Sequence, residues 1–79
     1  MKLSLSVLET EIESILSKAG FVSELYLIKK EGDCIVVLFD TKEAVDYFRG
    51  DFELSAIAVD CMFNYKKDGK RHAAYIYSW

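Results

Sequence analysis

Residues 34–39 read CIVVLF, an unbroken run of six apolar side chains, half of them β-branched. Successive side chains of a strand point to opposite faces. This strand is therefore apolar on both faces. That predicts a central strand covered on both sides, not an edge strand with one wet face. The requirement is severe for a chain of 79 residues, which has room for one domain, residues 1–79. Short chains bury a smaller fraction of their surface than long ones. Yet 52% of the residues are hydrophobic, above the usual share of about 45–50%. Such a composition excludes disorder and leaves more apolar surface than one small core absorbs.

The segments around the strand carry their own signals. Ser6-Val7-Leu8-Glu9 matches a capping box, in which Ser6 caps a helix and the Glu9 carboxylate reaches back. Leu8, Ile12, Ile15, Leu16 and Ala19 follow as one apolar stripe. Gly20 is the expected stop, with Phe21 just beyond it. Glu9, Glu11 and Glu13 keep the outer face wet and complement the helix dipole. VSELYLIKK, residues 22–30, reads as a strand joined to CIVVLF through the turn EGD. FDTKEAVDYFRGD, residues 39–51, reads as a second helix. Asp40 or Thr41 caps it, with Glu43 in the capping-box position if the cap is Asp40. Ala44, Val45 and Phe48 face inward and Gly50 ends it. A helix this short depends on packing. From about Ala56 to Trp79 the chain reads as a long hairpin, with Lys67-Asp68-Gly69-Lys70 as a two-residue type I′ turn.

The element string is αββαββ. It predicts an α+β two-layer sandwich: a four-stranded, mostly antiparallel sheet with both helices on one face. That is a ferredoxin-like order with its first strand moved to the end, and the second helix makes a right-handed crossover. A simple meander is the alternative topology.

An Asp-Gly loop sets Lys67 opposite Lys70 and so fixes the last hairpin. Tyr65 then faces His72, Phe63 faces Ala74, Cys61 faces Ile76 and Val59 faces Ser78, on the side of the helices. Lys66 with Arg71, Asn64 with Ala73, Met62 with Tyr75, Asp60 with Tyr77 and Ala58 with Trp79 take the other side. With helices on one face only, Tyr75, Tyr77 and Trp79 stand in an open row beside Met62. Three large aromatics give a patch of about 400–600 Å², as large as any usual on a monomer. The first hairpin adds either Leu25 and Leu27 or Tyr26 and Ile28.

Three readings of this row compete. It docks a protein, either a second copy in a homodimer or a larger partner. It stacks single-stranded nucleic acid, with Lys66 and Arg71 on the phosphates. Or the register or face assignment is wrong, and these side chains cover one another or lie under a helix. Net charge is −3, and outside residues 66–71 there are six basic residues against twelve acidic, which favours protein over nucleic acid. The tip formed by Lys66, Lys67, Lys70 and Arg71 is a candidate anion-binding prong, or simply a solvated end that discourages edge-to-edge aggregation.

The chain carries no phosphate-loop or dinucleotide motif. His72 is the single histidine, with no nucleophile and orienting acid placed beside it. Cys34 and Cys61 lie in apolar runs without metal-ligand spacing and read as buried, reduced thiols. The N-terminus lacks the long apolar run of a secretion leader, and no run is long enough to span a bilayer. These features predict a non-enzymatic cytoplasmic protein without metal or cofactor. The protein-binding set is Met62, Tyr75, Tyr77 and Trp79. Size and acidity match small inhibitors and adaptors, including those that phage direct against host defence.

Overall fold

The computed structural model describes residues 3–79. Met1 and Lys2, at the head of the segment weighed above as a secretion leader, lie outside them. The elements are α1 (Leu5–Lys18), β1 (Tyr26–Glu31), β2 (Cys34–Phe39), α2 (Lys42–Glu53), β3 (Cys61–Asp68) and β4 (Arg71–Ser78). Short 3₁₀ turns at Ser23–Leu25 and Ala58–Asp60 precede β1 and β3. The strands form one sheet in the order β1-β2-β4-β3, every neighbouring pair antiparallel. That is the ferredoxin-like order with its first strand moved to the end, not a meander. β2 is central and buried at all six positions.

α1 begins two residues earlier than the capping box suggested. Ser4, not Ser6, is the N-cap, its hydroxyl accepting from the Val7 amide at 3.2 Å. The early start brings Leu5 onto the stripe of Leu8, Ile12 and Leu16, where it packs on the core. The helix ends as expected. Phe21 N–H donates to Leu16 C=O and Gly20 N–H to Ser17 C=O, with Gly20 at φ +92°. This is the Schellman pattern.

α2 is capped by Thr41, whose hydroxyl accepts from the Ala44 amide at 3.1 Å. It does not stop at Gly50 but runs on to Glu53. The reason is Phe52, which extends the stripe of Val45 and Phe48 and is 2% exposed. Burying a phenylalanine is worth about 1.5–3 kcal/mol, more than the roughly 1 kcal/mol a helical glycine costs.

Both helices lie on one face of the sheet. All five phenylalanines meet there in one chain of ring contacts: Phe21–Phe39 at 5.3 Å, Phe39–Phe48 at 5.7 Å, Phe48–Phe52 at 6.0 Å and Phe52–Phe63 at 5.5 Å. Tyr26 and Ile28 of β1 join this side.

The last hairpin differs from its expected register. Asp68 pairs with Arg71, so the loop is Gly69-Lys70, not Asp68-Gly69. A type I′ loop needs positive φ at both central residues. Here Gly69 alone has it, at +62°, and among the described residues no other residue type does. Glycine first and an ordinary residue second is the type II′ arrangement, and Gly32-Asp33 repeats it in the first hairpin, with Gly32 at +59°. The shift also dissolves the expected like-charge pairs. Lys66 now faces Ala73, Lys67 faces His72, and Arg71 faces an acid. Ala58 and Val59 do not pair at all, since β3 starts only at Cys61. Within the two strands every expected partner moved by two positions. Side chains alternate with a period of two, so the residues of β3 and β4 kept their faces, whereas Ala58 packs on the helix-side core, not on the open face beside Trp79, and Val59 is exposed.

Candidate functional site

The pairings stack the helix-free side chains in rows across the sheet. Reading β1 to β3, they are Leu27, Leu38, Ala73 and Lys66; then Lys29, Val36, Tyr75 and Asn64; then Glu31, Cys34, Tyr77 and Met62. Beyond the first row, Leu25, Asp40 and Arg71 line one small groove together with Leu27 and Leu38. Asp68 pairs with Arg71 on its other side.

This face has a core of its own without a helix over it. Cys34, Val36, Leu38 and Ala73 are buried, with Tyr75 and Tyr77 packed half-buried against them. That is how β2 is dry on both sides: the helices cover Ile35, Val37 and Phe39, and neighbouring side chains cover the rest. Around this centre apolar surface stays wet. Leu25, Leu27 and Met62 are 52%, 50% and 37% exposed. Trp79, one residue beyond β4 and in step with Tyr75 and Tyr77, is 61% exposed, and its N–H donates to the Asp60 carbonyl at 2.8 Å. The sheet thus gathers Met62, Tyr75 and Tyr77 on one face. It adds Leu25 and Leu27, which the sequence left undecided between two faces.

The four cations do not converge. Lys66 leans over the Tyr75 ring, its ammonium 5.5 Å from the centroid. Arg71 stands between Asp40 and Asp68, with Glu24 in the same groove. Lys67 takes the helix-side alternation opposite His72, and Lys70 sits in the loop. Two of the four cations thus stand on the open face, one on the helix side and one in the loop. The other charged pair on the open face, Lys29 and Glu31, is closed at 3.3 Å.

The remaining polar and thiol groups make local contacts. His72 Nδ1 shares a 2.6 Å hydrogen bond with the Tyr65 hydroxyl, the rings stacked with centroids 5.9 Å apart. Lys42 lies 5.3 Å from the same Tyr65 ring. Cys34 and Cys61 are unbridged and buried on opposite faces. The Cys34 Sγ–H donates to the Glu31 carbonyl at 3.2 Å. Burial pushes the Cys34 thiol above its ordinary 9.0; the Tyr77 hydroxyl beside it pulls the other way, and Glu31 and Asp33 push it up again. The Cys61 thiol is raised as well, first by burial and then by Asp60. Among the described residues no group of acids, histidine and cysteines is gathered tightly enough to hold a metal ion. No helix there is long and apolar enough to cross a membrane. No family model, curated protein or solved structure matches this chain.

Proposed function

We propose that this chain is a non-catalytic, cytoplasmic protein-binding module that docks through the helix-free face of its sheet. One observation carries the reading. A four-stranded face with its own buried centre is ringed by half-exposed Leu25, Leu27 and Met62, with Tyr75 and Tyr77 between them. Tyrosine suits such a place, because an apolar ring with a polar tip tolerates both water and a partner. The five phenylalanines, by contrast, are all on the helix side. In biological terms this is an inhibitor or adaptor acting by contact, the form that small acidic phage proteins take against host defence. Nucleic-acid stacking fits less well. Lys66 occupies one side of the Tyr75 ring, and Arg71 stands among acids.

The test is capture from an extract of the source cells with the immobilised chain. Leu27→Lys with Met62→Lys should abolish specific capture. Val7→Lys with Leu54→Lys, at exposed apolar sites off this face, should not. Capture lost equally in both would contradict the assignment. A labelled single-stranded oligonucleotide at low salt checks the rival, since phosphate contacts are strongest there. Binding that Tyr75→Ser abolishes would replace the protein reading.

A further inference from the structure

We propose that the outer edge of β3 accepts an added strand, an extended acidic segment of a partner protein running antiparallel to β3. This edge is separate from the helix-free face. The strand order leaves β1 and β3 as the two edges of the sheet. In β3 the hairpin decides which backbone groups are already spent. The residues flanking a two-residue loop form a hydrogen-bonded pair, and such pairs alternate along an antiparallel ladder. Asp68 and Arg71 are that pair, so Lys66, Asn64 and Met62 turn their N–H and C=O groups toward β4. The Trp79 N–H donates to the Asp60 carbonyl, which continues the same series just beyond the strand. Phe63, Tyr65 and Lys67 therefore turn theirs outward. Among the described residues no strand lies beside them. Cys61 is also outward, but its N–H already donates to the Ala58 carbonyl. Such an edge row is where strand addition occurs, with backbone bonds giving affinity and alternate side chains giving selectivity.

Charge selects what is added, and it separates the two edges. On β1 both lysines are spent on acids, Lys29 on Glu31 at 3.3 Å and Lys30 on Glu9 at 3.7 Å. Beside β3 the α2 cations are paired in the same way, Lys42 with Asp46 and Arg49 with Glu53. Lys66 and Lys67 are exposed and have no ion pair among the described residues. The Tyr75 ring under Lys66 leaves its charge unneutralised, and Asp68 pairs with Arg71. The two lysines are consecutive, so they stand on opposite faces and flank an added strand from both sides. Two acids in a row answer them. At the other end of β3, Met62 and Phe63 are apolar and again on opposite faces. The complementary segment thus begins with two acids opposite Lys67 and Lys66. Two strand-forming residues follow opposite Tyr65 and Asn64, then two apolar ones opposite Phe63 and Met62. The antiparallel direction continues the pattern of the whole sheet and is the more stable pairing. A nucleic acid could meet the lysines but has no N–H and C=O ladder for the residues between them.

The blocked peptide TEETTVVT tests this on the intact chain, with TKKTTVVT as its control; both are β-branched to favour a strand. Amide hydrogen exchange followed by NMR is the readout, at about 10 μM to about 1 mM peptide, the range of a weak contact. In the free chain the amides of Phe63, Tyr65 and Lys67 should exchange fast and those of Met62, Asn64 and Lys66 slowly. TEETTVVT should slow the first set toward the second, and TKKTTVVT should not. Lys66→Glu with Lys67→Glu should weaken TEETTVVT by about tenfold or more and bind TKKTTVVT instead. Circular dichroism checks that this variant folds; if it does not, the two peptides on the wild type decide. Leu27→Lys, on the helix-free face, should leave peptide binding unchanged, so failure of the edge and failure of the face are told apart. The proposal is overturned if TEETTVVT leaves the outward amides fast, or if both peptides protect them equally. Protection at Ile28 and Lys30 instead would move the site to β1. Protection that grows with the chain's own concentration, without peptide, would make the occupant a second copy. A single-stranded oligonucleotide that shifts Lys66 and Lys67 more tightly than the peptide, without protecting the outward amides, would replace the strand by a phosphate site.

Discussion

The Lys66 ammonium stands 5.5 Å above the centroid of the Tyr75 ring. The lysine that reads in sequence as part of a basic prong is thus spent on the aromatic row. A half-exposed contact of this kind is worth about 0.5–1 kcal/mol. Lys66→Ala should lower urea stability by that amount. Lys70→Ala, in the exposed loop, should change it by less than about 0.5 kcal/mol. Equal effects would mean that the ring contact contributes nothing.

Two glycines should respond with opposite sign. Gly50 lies inside α2, and a methyl group added there meets nothing within 4 Å. Gly50→Ala should stabilise by about 0.5–1 kcal/mol through helix propensity and a less flexible unfolded chain. Gly69 sits at φ +62° in the β3–β4 loop, where any side chain is strained. Gly69→Ala should destabilise by about 1 kcal/mol or more. Thermal melts of the two variants check both signs together.

The start of α1 makes a similar distinction. Ser4→Ala removes the hydroxyl that accepts from Val7 and should cost about 1 kcal/mol. Ser6 lies within the helix and caps nothing, so Ser6→Ala should be neutral or slightly stabilising. The reverse order would restore the capping box that the sequence suggests.

The thiols give stability an alkaline limit. Both folded-state values are raised, for Cys34 and Cys61, above the ordinary 9.0. Above that pH the unfolded chain releases its thiol protons while the folded chain keeps them. The unfolded state then binds fewer protons, and folding stability falls as pH rises, levelling off once the folded thiols ionise too. Tyr77 is raised above 10.0, first by the Cys34 charge and then by burial, and adds the same sign at higher pH. Urea midpoints should hold steady below 9.0 and decline above it. The Cys34→Ala, Cys61→Ala double variant should decline less. A wild-type midpoint that rises with pH would contradict this.

Much of the architecture was legible because local and global signals agree. CIVVLF demanded cover on both faces and received it at every position. The element string alone led to the observed strand order. The errors have local causes. Asp-Gly suggested a loop that would have forced Asp68 to positive φ, whereas among the described residues only glycine takes it. The resulting two-residue shift preserved parity, which is why the faces of Tyr75, Tyr77 and Met62 were right with the wrong partners. Leu27 was ambiguous for the opposite reason. A three-residue turn at EGD leaves the parity of β1 open, and only the two-residue loop Gly32-Asp33 sets Leu27 beside Leu38. Gly50 failed as a stop because Phe52 has a distant partner in Phe63, which no window around α2 contains. The cations looked like one site because they are adjacent in sequence. Alternation along a hairpin sends adjacent residues to opposite faces.

A docked partner should cover the helix-free face. Hydroxyl-radical footprinting tests it directly, because Met, Trp, Tyr and Leu side chains all take the label. The free chain is compared with the chain saturated by its occupant, a concentrated second copy or a captured protein. Leu27, Met62, Tyr75 and Tyr77 should lose labelling in the bound state, while Val7, Tyr47 and Leu54 keep it. Protection of Tyr47 and Leu54, with Met62 and Tyr77 still labelled, would place the docking surface elsewhere.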